Sequence, residues 1–89
     1  MRAVKEWRVD LMIGEDDGRT YAEAQLRTEL GDRVVGTGRA FVSPDDYDVP
    51  EIGDEVAVAR ALRDLGAQLL AVASADITEV TRDRVQLTR

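Results

Sequence analysis

The densest group of side chains able to do chemistry is a run of carboxylates, Asp45, Asp46, Asp48, Glu51, Asp54 and Glu55, packed into one short stretch. A cation site is the sharp reading. A calcium loop of the EF-hand type needs glycine at its sixth position and glutamate at its twelfth; counted from Asp46, those places hold Glu51 and Ala57. The pattern fails, and the acids read instead as a solvated loop that favours the positive end of a following helix. Paired carboxylates also serve as acid and base in glycosidases, but they must flank a pocket, and a small sheet with one main helix is expected to fill its own interior.

Other catalytic pairings fall away by residue type. The chain has no histidine and no cysteine, so Ser-His and Cys-His nucleophiles, imidazole or thiolate metal sites and disulfides cannot be built. Thr37 and Ser43 therefore lack an activating base, and Lys5 sits near a terminus. Gly36-Thr37-Gly38 resembles a phosphate loop only superficially, because it lies inside a strand and no Lys-Ser/Thr follows at a helix start. No catalytic residue, metal, cofactor or small-molecule substrate is expected.

The better candidate is a binding face. Strand parity puts Arg8, Arg27 and Arg39 beside Tyr21 and Phe41 on one side of a sheet, with Glu6, Asp10 and Glu23 interspersed. Arginines next to aromatics can stack bases and hold phosphates, which makes RNA a candidate partner. Opposite charges on neighbouring strands can equally pair with each other. The net charge of −6 argues against a broad cationic surface, which leaves a protein-interaction module without a nucleic-acid role as the alternative. Met12, Val35 and Phe41 make the same face more apolar than a solvated surface, and a three-stranded sheet leaves two edges unpaired. Both features predict a homodimer.

These residues need elements to position them. Trp7, Val9, Leu11 and Ile13 alternate with Glu6, Arg8, Asp10 and Met12, which predicts a strand from Trp7 to Ile13. Glu15-Asp16-Asp17-Gly18 is an acidic turn whose Asp-Gly pair supplies positive φ. A second strand follows from Thr20 to Thr28, then a turn at Leu30-Gly31-Asp32 and a third strand from Arg33 to Val42. Gly36, Gly38 and Ala40 share one face of that strand with Val34, and small residues there mark a place where a helix packs very close. Ser43 to Gly53 reads as a loop with both prolines. A helix is expected from Asp54 to Ala73, with Val58, Ala59, Leu62, Leu65, Gly66, Leu69 and Ala73 as its buried stripe and Gly66 as a close-contact position against Gly36 and Gly38. Ser74-Ala75-Asp76 is expected to break it and cap a short second helix through Ile77 to Val80, followed by a polar tail.

The fold expectation is therefore α+β, a three-stranded antiparallel meander covered on one face by a C-terminal helix. At 89 residues the chain is read as one domain, 1–89. Apolar runs are far shorter than the roughly 20 residues that span a bilayer, and no charged-then-apolar leader opens the chain, so a soluble cytoplasmic protein is expected.

Several segments resemble a known family. Trp7-Arg8-Val9-Asp10 with its acidic turn, Val35-Gly36-Thr37-Gly38-Arg39-Ala40, the long run from Val49-Pro50-Glu51-Ile52-Gly53 to Ala61-Leu62, Asp64-Leu65-Gly66 and Ile77-Thr78-Glu79-Val80-Thr81 are similar to a family of small actinobacterial proteins of unknown function. Members include mycobacterial proteins induced in dormancy. The resemblance implies a fold like the double-stranded-RNA-binding domain and a dimer that looks like ribosome hibernation factors. It transfers no RNA-contact residue, because Glu51, Asp54 and Glu55 stand at the helix start where that fold holds phosphates with basic side chains, and carboxylates there repel the RNA backbone.

Overall fold

The computed structural model describes residues 3–29, 31–41 and 50–87, with only the backbone for Pro50 and residues 84–87. Three strands, β1 (Val9–Asp16), β2 (Arg19–Arg27) and β3 (Arg33–Phe41), are followed by one helix, α1 (Pro50–Leu87). The sheet is an antiparallel meander in the order β1-β2-β3. The expected α+β architecture is thus present.

The first turn fixes the register. Asp17 (φ 51°) and Gly18 (φ 75°) are both left-handed, the two-residue geometry that matches the twist of a hairpin. Asp16 consequently faces Arg19, and β1 begins at Val9 and ends at Asp16, two residues later at its start and three later at its end than the Trp7–Ile13 alternation suggests. At the second turn Gly31 (φ 87°) donates its N–H to the Thr28 carbonyl at 3.0 Å, and Thr28 N–H donates to the Asp32 carbonyl at 2.9 Å.

The helix packs on the face made by Ala22, Ala24, Leu26, Val34 and Ala40, and contributes Ala57, Ala61 and Leu65 to the buried core. Close approach at Gly36 and Gly38 is present as expected. A Cβ on Gly36 would collide with the backbone of Leu65 and Ala61, and one on Gly38 with the backbone of Ala57 and Ala61. Of the expected stripe, Leu65 is buried against Gly36, and Val58 and Leu69 are partly buried against the core, but the other close contacts fall on Ala57 and Ala61. Gly66 meets nothing within 4 Å, and Ala59, Leu62 and Gly66 are exposed. The physical reason is the glycine saddle itself: the helix backbone at Ala57, Ala61 and Leu65 lies against Gly36 and Gly38, so the phase follows these positions four residues apart and turns Leu62 to the flank.

The helix also differs in length. Its 38 residues include Pro50, whose fixed φ and missing N–H suit a first helical turn, and run through Ser74-Ala75-Asp76 without a break. That triplet holds no glycine or proline, and such residues cost only about 0.5 kcal/mol each inside a helix. Thr78 and Thr81 return their hydroxyls to the carbonyls of Ser74 and Ile77 at 3.0 and 2.9 Å. The short second helix is therefore replaced by one continuous helix, and residues 70–83 are all exposed. No helix of the described residues is long and apolar enough to cross a membrane.

The two sheet edges are unlike. Along β3, the Thr37 N–H donates to Asp64 Oδ2 at 2.8 Å and Arg60 Nη1 donates to the Arg39 carbonyl at 2.7 Å, so α1 side chains occupy backbone groups that would otherwise template another strand. The β3 edge is thus covered at Thr37 and Arg39. Replacing Asp64 by alanine should cost about 1 kcal/mol, the usual worth of such a bond, while Asp64→Asn, which keeps an acceptor, should cost less. Urea denaturation of the two variants at one protein concentration checks this, and equal midpoints would remove the edge-capping role.

Candidate functional site

The open face of the sheet holds the candidate residues. Register places Tyr21 opposite Arg39 and Arg19 opposite Phe41. The guanidinium carbon of Arg39 lies 5.7 Å from the Tyr21 ring centre, and that of Arg19 5.9 Å from the Phe41 ring centre, both within cation–π range. Phe41 remains largely exposed.

Of the predicted residues, then, Tyr21, Arg39 and Phe41 come together at the end of the sheet nearest the first turn. Arg27 lies at the opposite end of the same face, opposite Arg33, and Arg8 precedes β1 and is exposed. The face is therefore bipolar, with two Arg-aromatic pairs at one end and an Arg27-Arg33 pair at the other. Between them, Glu23 accepts bonds from Gln25 Nε2 at 2.6 Å and from the Tyr21 hydroxyl at 3.3 Å. Arg33 falls on this face by strand parity alone, whereas Arg19 was legible as part of it only through the register. The Asp17-Gly18 turn sets Arg19 against Asp16 and brings it beside Phe41, whereas a strand begun at Thr20 leaves it out.

A cleft of about 690 Å³ lies at this end of the molecule, lined by residues of all three strands and by Arg60 of α1. Among the described lining residues it gathers Arg19, Arg39 and Arg60 with Glu15 and Asp16. The described residues hold no group of three or more metal-ligating side chains. Asp45, Asp46 and Asp48, the core of the acidic loop, lie outside the described residues, as does Ser43.

Fold and surface together define an α+β domain in which a three-stranded antiparallel meander is followed by one long helix, with arginine-aromatic pairs on the face opposite that helix. The chain belongs to the Rv2632c-like family, whose model matches residues 5–86. It is 46% identical over 84 residues to the uncharacterised protein Mb1767 of Mycobacterium bovis, covering 94% of this chain and 88% of that protein. It is also 46% identical over 81 residues to the uncharacterised protein Rv2632c of Mycobacterium tuberculosis, covering 91% and 86%. The crystal structure of Rv2632c superposes with a TM-score of 0.81 at 45% identity, over 90% of this chain and 94% of that one.

Proposed function

We propose that this protein is a non-catalytic, cytoplasmic binding protein that works as a homodimer and docks through its open sheet face on a large phosphate-bearing assembly, the ribosome being the first to test. The observation that carries the reading is the pairing of each guanidinium with a ring across strands, Arg39 with Tyr21 and Arg19 with Phe41. A ring holds the guanidinium plane while its N–H groups remain available to phosphate oxygens, which is the usual way an arginine is ordered for nucleic-acid contact. The homodimer is supported by the apolar surface that one chain leaves bare. A role in stress or dormancy comes from the family resemblance.

Co-sedimentation with ribosomes tests the docking. Binding should fall steeply as salt rises, and replacing Arg19, Arg27 and Arg39 by alanine should weaken it while flattening the salt dependence by about one unit of slope per lost phosphate contact. Absence of ribosome binding, together with salt-insensitive capture of a protein partner, would favour the acidic protein-interaction module.

A further inference from the structure

The open face of the sheet ends in a checkerboard. Tyr21 stands opposite Arg39 and Arg19 opposite Phe41, so the two rings occupy one diagonal of a square and the two guanidiniums the other. Along the strands the two rows are two residues apart, about 6.8 Å at about 3.4 Å per residue, and side chains on such a diagonal start about 7–8 Å apart. Stacked bases are separated by about 3.4 Å. A planar base with a ring on either side therefore needs about the spacing that this diagonal supplies.

The neighbouring groups keep that slot open. Arg39 lies 5.7 Å from the Tyr21 ring centre and Arg19 5.9 Å from that of Phe41, which orders both rings from the side. The Tyr21 hydroxyl donates to Glu23 Oε2 at 3.3 Å, tying that ring toward the middle of the sheet and away from the row of Arg19 and Phe41. Opposite Tyr21 on β1 stands Gly14, where even an added Cβ would meet nothing within 4 Å. A glycine inside a strand often marks the place where a ligand comes close to the backbone. Phe41 is 64% exposed, so most of its ring is available to that ligand.

A phosphate has its partners on the β3 side. Arg60 of α1 is anchored there by the bond from its Nη1 to the Arg39 carbonyl, and it lines the same cleft as Arg19 and Arg39. A guanidinium carries five N–H donors in a planar fork, so one such bond leaves Arg60 donors to hold a phosphate oxygen together with Arg39. Glu15 and Asp16 line the cleft from β1, where their charge directs a phosphate away from that strand and toward β3. The cleft of about 690 Å³ has the size of a small-ligand site.

Resting on the docking reading, we propose that this cleft takes an unpaired nucleotide of a single-stranded RNA, its base slotted between Tyr21 and Phe41 and its phosphate held by Arg39 and Arg60. A base inside a double helix is stacked on both sides and offers no free face, so the slot selects unpaired RNA over duplex. Every base has a π-face, so the site discriminates strand form far more than sequence.

Fluorescence anisotropy with the full chain tests the slot, using a short labelled oligoadenylate and a labelled RNA duplex of the same length at moderate salt. The oligoadenylate is expected to bind more tightly than the duplex. Tyr21→Ala and Phe41→Ala should each weaken it about tenfold, within the range that loss of one base–aromatic stack gives, while Tyr21→Phe, which keeps the ring, should bind like the parent. No binding of the oligoadenylate, duplex binding as tight as its own, or alanine variants without effect overturns the slot. Ribosomes that still co-sediment with the unmodified chain then leave docking in place, and loss of that co-sedimentation removes docking as well. Displacement of the oligoadenylate by an equal concentration of free AMP would make a free nucleotide the ligand and overturn binding to a strand.

Discussion

Replacing Gly36 or Gly38 by alanine should destabilise the protein by about 3 kcal/mol or more, and replacing both should leave it unfolded. The new methyl groups would meet the backbone of Ala57, Ala61 and Leu65 at separations that real Cβ atoms do not show. Backbone cannot rotate away as a side chain tip can, so α1 would have to lift from the sheet. Overpacking of this kind costs about 1–3 kcal/mol where side chains can yield, and here the lift also opens the contacts of Leu65 and Leu26. The buried core has little in reserve, since five of its eight members are alanine. Gly66→Ala is the matched control. Its Cβ meets nothing within 4 Å and it lies in a helix, so it should stabilise by about 1 kcal/mol. Urea unfolding of the three single variants at one protein concentration separates the cases. If Gly36→Ala and Gly66→Ala shifted the midpoint in the same direction, the glycine saddle would not be what sets the helix in place.

Ile77→Asp with Val80→Asp should convert the dimer to monomer without unfolding the domain. Neither residue belongs to the chain's own core, and both are more than half exposed in the single chain. In the proposed homodimer such bare apolar side chains are covered by the partner, and burying a large aliphatic side chain contributes about 1.5–3 kcal/mol. Losing two such contacts, roughly 4 kcal/mol, weakens association about a thousandfold, and the second copy repeats the loss on the other side. Light scattering over a dilution series reads the mass, and circular dichroism reports whether the sheet and the N-terminal half of α1 persist. A variant that stayed dimeric would place this half of α1 outside the interface, and one that lost its sheet as well would mean that the domain cannot fold as a single copy.

The fold was largely open to reading from the sequence, because period-two alternation around Leu11 and the Asp17-Gly18 turn are local signals that tertiary context does not overrule. The small face of Gly36, Gly38 and Ala40 even announced the helix that covers it. What stayed hidden was the phase and the end of that helix. Leu62 and Leu69 naturally read as core, yet the saddle holds Ala57, Ala61 and Leu65 at its narrowest points, which leaves Leu69 partly buried and Leu62 exposed. The bulky residues are left on the flank, where a partner and not the chain itself is proposed to cover them. Ser74-Ala75-Asp76 looked like a stop because serine and aspartate are good caps, but a cap needs the chain to leave the helix, and nothing in that triplet forces it to.

The candidate site was legible in part for a similar reason. Parity alone puts Tyr21, Arg39 and Phe41 on one face, and the structure brings them to one end of it. Parity cannot say which residues are neighbours across strands, so the role of Arg19 beside Phe41 waited for the register that Asp16 and Arg19 define.

The proposed homodimer rests on the apolar surface that one chain leaves bare on β1 and on the exposed C-terminal half of α1. The most direct measurement is the mass of the unmodified full chain in solution, by light scattering or sedimentation equilibrium at micromolar concentration and moderate salt. Twice the chain mass, maintained on dilution until a single concentration-dependent transition to monomer, is the predicted result. A chain mass that stays single across the whole range, with β1 and the C-terminal half of α1 still folded, would contradict it.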